Sequence, residues 1–579
     1  MGRRVTRPLV GARQALILDD RGSGRMTRAI SRALLAGGLF ASATANANLL
    51  EPEKSSTPII PAVEIERQHP IDGMLRAEER EFRTAILRAV EDADPVRSIE
   101  KIDALIPLLD RNSPTQIFLQ TQKARRTVET GSVKLGAAAF QALLERYPQI
   151  LPIKLSAIHS LGYTTAADIS ARNWIELAAR HPQVARAVDG YTLGAVATNL
   201  EAKAQIDVRD ALFLALENIG YDPGSTILRD QMQIAIFFNA AADRGREVEA
   251  QAALAKISNP AELVEIAAQQ KYHDYWGSIA TDPATLETKA QSYLSALRDD
   301  FVKAENGQVA GAYLSASRSY TDPVTVANAY APVLDRLLGQ SGQGSYDTFD
   351  AQFWVAPLAW AWTESGSQER AEALFKSALP AFDDTHGVTR LNISANYALH
   401  LLEDDRPSEA LAFIEPAIAE LEAADIALTA LSQMHAVRLR AYHELGRPER
   451  AFASRRNLES HRASLLSIYS DAMLAIGDET AARDAIISVL RSRDPRAAIS
   501  YLQSPLQPLR LPRYVEQESA KDVLRQDPAI KSALFSVGRV VEVSPIILAD
   551  FDHSDAAEEF LSQLSGSLGS SNIDAKVGI

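Results

Sequence analysis

Three short stretches of this chain carry residue types that could do chemistry. In "AYHELGRPER", Ala441–Arg450, His443 followed by Glu444 opens the H-E-x-x-H pattern, in which two histidines one helical turn apart hold zinc. The second histidine would stand at position 447, where Arg447 is found, so a guanidinium replaces a ligand. In "WTESGS", Glu364 is followed by Ser365, an acid beside a hydroxyl. A catalytic acid needs a raised pKa inside an apolar cleft, and a stretch this rich in turn formers is a poor place for one. In "DFDHSD", Asp550–Asp555, closely spaced carboxylates could touch a divalent cation. The EF-hand spacing is not met, and the stretch reads as a solvated acidic loop.

Other chemistries fail on composition. The chain has no cysteine, which removes thiol catalysis, disulfides and Cys-ligated metals. The spacing nearest to a P-loop, Gly131 to Gly136, is followed by Ala137 instead of Lys, and no G-x-S-x-G elbow occurs. The ten histidines are scattered. The sequence therefore predicts no catalytic residue, metal or cofactor, and a protein that is not an enzyme.

The N-terminus reads as an address. From Met26, "MTRAISRALLAGGLFASATANA" sets Arg28 and Arg32 before an apolar run from Ala33 to Ala43, then Ala45-Asn46-Ala47 as a cleavage site. The apolar run falls short of the roughly 20 residues that span a bilayer. Residues 1–47 are thus expected to be an upstream extension plus signal peptide, with Met26 as start and cleavage after Ala47. Their removal takes away eight Arg and two Asp, leaving 52 basic and 72 acidic residues and a net charge of −20. Such a surface repels nucleic acid and anionic membranes. An exported chain without disulfides fits the periplasm of a Gram-negative bacterium, soluble after signal cleavage and without a transmembrane span.

Residues 48–71, rich in proline and polar side chains, read as a tether. From there the pattern is helical. Leu75, Phe82, Ile86, Leu87 and Val90 follow a period near 3.6. Breaks at "DRNSP", "ETGS", "ERYPQ", "LGYTT", "ARHPQ", "IGYDPGS" and "DRGR" divide residues 72–338 into a helical-hairpin array. "GQSGQGSYD", residues 339–347, reads as a linker.

Residues 348–500 repeat themselves. Ala371, Ala410, Ala451 and Ala482 each open a second helix, 39, 41 and 31 residues apart. Nine positions before each stands a large residue: Trp362, Leu401, Tyr442 and Met473. Five before each stands a turn former: Gly366, Asp405, Gly446 and Gly477. A large residue, a turn glycine and an alanine in this register resemble the tetratricopeptide repeat (TPR) family, and Phe375 and Ala378 fit its second-helix pattern. Repeat lengths vary around the family's typical value of about 34. The resemblance implies an all-α fold, a right-handed α-α superhelix built as a TPR-like helical-hairpin solenoid with irregular repeats. It also implies that first-helix residues drawn from a register of successive spacings 3, 4 and 3 line a concave groove: Phe353 and Trp360; Asn392 and Leu399; Gln433, Arg440 and His443; and Asp471. Trp354, Trp360 and Trp362, with Phe353, fit either a buried helix or an aromatic anchor.

Residues 501–579 change character. "SPLQPLRLPRYVEQ", Ser504–Gln517, contains three prolines and is expected to be extended or looped. "SALFSVGRVVEV", Ser532–Val543, is the one plausible strand, so the extension is expected to be small and mixed, ending in a mobile tail. Periplasmic TPR-like proteins suggest a non-enzymatic scaffold that binds a protein partner or extended polymer in envelope assembly or polysaccharide secretion. The alternative is a cell-wall glycan-acting enzyme. Helical solenoids precede the catalytic domain of bacterial lytic transglycosylases, whose catalytic glutamate is followed by serine, as Glu364 is. Their downstream G-L-M-Q motif is absent.

Overall fold

The computed structural model describes residues 74–562, except 93, 244, 304–306, 340–347, 382–386 and 425–427. The expected signal peptide, tether and tail, and most of the expected 339–347 linker, therefore lie outside the described residues.

Helix follows helix from Arg83 to Phe535. The seven breaks read from the N-terminal block each coincide with the end of a helix. The five apolar positions of the first expected helix all join one small core with Ile102, Leu105 and Leu119. Successive small cores continue to about Ala235. From Ile227 onward a single core continues to Phe560.

The repeat register has a common local cause. In each of the four units the first helix ends on a residue in the left-handed region: Gly366 (φ 77°), Asp405 (54°), Gly446 (65°) and Gly477 (76°). The residue after it then donates its backbone N–H back to a carbonyl five positions earlier. Ser367 reaches Trp362 (2.8 Å), Arg406 reaches Leu401 (2.9 Å), Arg447 reaches Tyr442 (2.8 Å) and Asp478 reaches Met473 (2.9 Å). This bond closes the helix and reverses the chain, and it requires a positive φ, which Gly and Asp adopt most readily. The alanines five positions on, Ala371, Ala410, Ala451 and Ala482, are at most 1% exposed, because the two helices of each unit touch there. The same turn occurs earlier, at Ala204 (φ 54°), where Gln205 donates to Leu200, and at Gly220 (φ 62°), where Tyr221 donates to Leu216.

The C-terminal part departs from expectation. Among the described residues there is no strand. The expected strand over 532–543 is instead the end of a helix, Pro528–Phe535, followed by extended chain. Its one ladder contact is an isolated antiparallel bridge between Gly538 and Gln269, since no second extended segment runs alongside it there. The extension is therefore helical and extended, not mixed. Residues 512–517 are also helical, in Pro512–Gln526, because a proline at the first helical position lacks only an N–H that would be unsatisfied anyway.

The extension returns along the array. Arg510 donates to the carbonyls of Arg318 and Thr321, both at 2.7 Å, and Leu548 N–H donates to Tyr320 (2.7 Å). Phe560 stacks on Phe301 with centroids 4.8 Å apart. Near the bridge, Arg539 N–H donates to the Ala268 carbonyl (2.8 Å), and its guanidinium lies 3.6 Å from the centre of the Trp276 ring. The short helix Arg496–Tyr501 packs against Pro260–Ala268, so the last helices of the array meet helices from its middle.

Candidate functional site

The eight expected groove residues fall into three environments. Phe353, Trp360, Asn392, Leu399 and Gln433 are at most 9% exposed, wedged between helices of adjoining units. The Trp360 indole N–H donates to Asn396 Oδ1 (3.2 Å), and Asn396 Nδ2 donates to Asn392 Oδ1 (3.1 Å). This polar seam ties Thr348–Glu364 to Gly387–Glu403, and Trp354 is fully buried behind it. The aromatic cluster is thus core. His443 is exposed in the last turn of Leu428–Glu444, beside the Gly446 turn.

Arg440 and Asp471 face the C-terminal segment. Arg440 Nη1 donates to Glu403 Oε1 at 2.7 Å, and the Arg513 guanidinium reaches the same oxygen from the C-terminal helix. Asp471 accepts from the Tyr501 hydroxyl at 2.8 Å and lies 3.5 Å from Lys521 Nζ. The last of the suspected acids belongs to the same surface. Glu364, with a side chain 7% exposed, is held by Arg318 and lies 3.7 Å from Arg510. It is an ion-pair joint between the array and its C-terminal segment.

Two carboxylates with another character stand on Pro260–Ala268, within "NPAELVEIAA". Glu262 and Glu265 are three positions apart and so share one helix face, with Cβ atoms about 5–6 Å apart. Both keep some exposed surface while Glu201, Arg209, Asp230, Arg496 and Ser500 crowd them from four other helices. The Ser500 hydroxyl donates to Glu265 Oε1. Burial raises both carboxyls, Glu262 to about 8, and the charge of Glu265 adds to the rise at Glu262. Asp230 pins the start of their helix, accepting from the N–H groups of Ser258 (3.0 Å) and Asn259 (2.8 Å). The pair can hold a proton near neutrality and offer it as a hydrogen-bond donor. No sequence motif announces it, since two acids in an apolar helix ordinarily form its wet face.

No protein-family model matches this chain. No curated protein matches it significantly either.

Two open depressions indent the surface elsewhere. One is lined by Lys256, Ser258, Thr285, Thr288, Lys289 and Ser292, the other by Gln141, Glu145, Asp168, Arg172 and Asn173. Neither includes Glu262 or Glu265. Among the described residues no three histidine or acidic side chains converge to hold a metal ion, and no helix is long and apolar enough to cross a membrane.

Proposed function

We propose that this chain is a non-enzymatic binding scaffold, a right-handed TPR-like solenoid exported to the periplasm. Along its first helices it holds a protein or an extended polymer, in envelope assembly or polysaccharide secretion. One observation carries the reading. The turn after Gly307–Tyr320 and the first helices of two repeat units already hold a polypeptide, the chain's own C-terminal segment, through Arg510 on the 318–321 turn, Arg513 on Glu403 and Lys521 on Asp471. A surface that grips one segment through spaced carboxylates and carbonyls is suited to grip another beside it.

The test immobilises the mature chain, residues 48–579, in a periplasmic extract and compares it with Arg440→Ala and Asp471→Ala. Loss of the captured partner in either variant, with the fold retained, supports the reading. Identical capture by all three overturns the choice of surface. Amino-terminal sequencing of the exported protein should begin at Asn48.

The pair Glu262 and Glu265 favours a second reading, a glycan-acting enzyme, because one proton-holding acid beside another is the arrangement that glycoside cleavage uses. Release of soluble fragments from purified peptidoglycan, lost in Glu262→Gln and Glu265→Gln, would establish it.

A further inference from the structure

The most deeply set polar side chain of the C-terminal segment is His553, 1% exposed. Its ring sits where three elements meet. Nδ1 lies 3.0 Å from the Tyr313 hydroxyl on Gly307–Tyr320, and Nε2 lies 3.0 Å from Thr321 Oγ1. Tyr330, on Pro323–Gly339, places its hydroxyl 3.1 Å from that of Tyr313 and 3.3 Å from the His553 carbonyl.

Hydrogen-bond accounting assigns the tautomer. The Thr321 hydroxyl donates to the Ser317 carbonyl at 2.8 Å, so its oxygen is left to accept, and Nε2 must carry the proton. Nδ1 then accepts from the Tyr313 hydroxyl. A second proton, on Nδ1, would force the Tyr313 hydroxyl, which also accepts from Tyr330, to turn away and give up the bond it donates to the ring. The charged neighbours are Asp552, which accepts from Ser554 N–H (2.9 Å), and Arg298, on Pro283–Lys303. Burial dominates; Arg298 adds to it, Asp552 opposes it, and the ring is held down at about 4.

We propose that His553 is an acid-operated latch: proton uptake by its ring releases the end of the C-terminal segment, residues 537–562, while the helices of the array stay folded. Closed, the ring is neutral; released into water, it titrates near 6.5. The latch is fully effective above pH 6.5 and weakens as the pH falls from there towards 4. By pH 5 the closed state loses about thirtyfold against the released one. Release would uncover Tyr320, Thr321 and the aromatic rings under Phe560. The carboxyl pair on Pro260–Ala268 changes overall stability in the opposite sense, gaining as the pH falls, so the readout has to be local to the latch.

Hydrogen exchange on the full chain at pH 7.5 and pH 5, corrected for intrinsic rates, supplies it. For wild type, opening of residues 537–562 should rise about thirtyfold, with the helices between 387 and 490 unchanged. In His553→Gln, whose amide can donate and accept in the same places but takes up no proton, the rise should vanish. An equal rise in both proteins, or opening of the whole array together, overturns the latch. If the glutamine variant fails to close at pH 7.5, the His553 ring is titrated directly by NMR in wild type. A ring that stays neutral at pH 5 while the segment is closed supports the latch. A ring that titrates near 6.5 with the segment still protected overturns it.

Discussion

The Ser500 hydroxyl donates to the carboxyl of Glu265, 235 positions earlier in the chain. That bond joins the last short helix of the array to a helix from its middle. It places a partly buried carboxyl pair at a junction that no local pattern defines.

The pair makes stability fall as the pH rises. Glu262 and Glu265 have raised pKa values when folded, so the neutral form is favoured there. The contribution of Glu262 is fully present below about 4.5, the ordinary glutamate range, and is lost as the pH climbs towards about 8; Glu265 acts in the same sense. Urea unfolding at pH 8 should show Glu262→Gln more stable than wild type by on the order of 1 kcal/mol, a gain that disappears at pH 5. A gain of equal size at both pH values would mean that the carboxyl is not raised.

Two glycines separate backbone strain from steric closure. Gly446 has φ 65° and nothing within 4 Å of where a Cβ would stand, so Gly446→Ala should cost only the left-handed penalty of about 1–2 kcal/mol, and Gly446→Asn less. At Gly538 a Cβ would lie 2.5 Å from the Ala268 carbonyl oxygen. Gly538→Ala should therefore break the bridge to Gln269 and expose the neighbouring chain to protease. Thermal melts and limited proteolysis distinguish the two, and intact resistance at Gly538→Ala would refute the close approach.

Glu403 should be the costliest single loss at the C-terminal interface. Its side chain is 6% exposed and receives both Arg440 and Arg513, which are themselves mostly covered. Glu403→Ala leaves two guanidinium groups without their shared acceptor and is expected to cost about 3–5 kcal/mol. Arg513→Ala leaves the Arg440 pair intact and should cost clearly less. Equal losses in chemical denaturation would show that the two arginines do not depend on the shared carboxylate.

The repeat was legible because its determinants are local. Gly366, Asp405, Gly446 and Gly477, with an alanine five residues on, specify a turn and the close contact after it, whatever lies beyond. The groove was not legible in the same way. Phe353, Trp360 and Leu399 have the correct spacing for one face of a first helix, yet that face meets the next unit, and spacing cannot say which neighbour a face meets. Arg440 and Asp471 came nearer because charged side chains seek the rim of a helix contact.

Histidine shows the same division. His443, singled out beside a glutamate, lies exposed at a helix end. His553, read as part of a solvated acidic loop, is buried and holds both ring nitrogens in hydrogen bonds to residues more than 230 positions away.

By itself the sequence determined the helical character of the array, the breaks between its helices and the turn that recurs through the repeats, because periodicity and tolerance of positive φ act over a few residues. The tertiary structure decided that the C-terminal segment belongs to the core, that Glu262 and Glu265 meet Ser500, and that His553 rather than His443 is enclosed. Each of those depends on which surfaces meet across hundreds of residues, where burial and charge pairing, not local propensity, set the outcome.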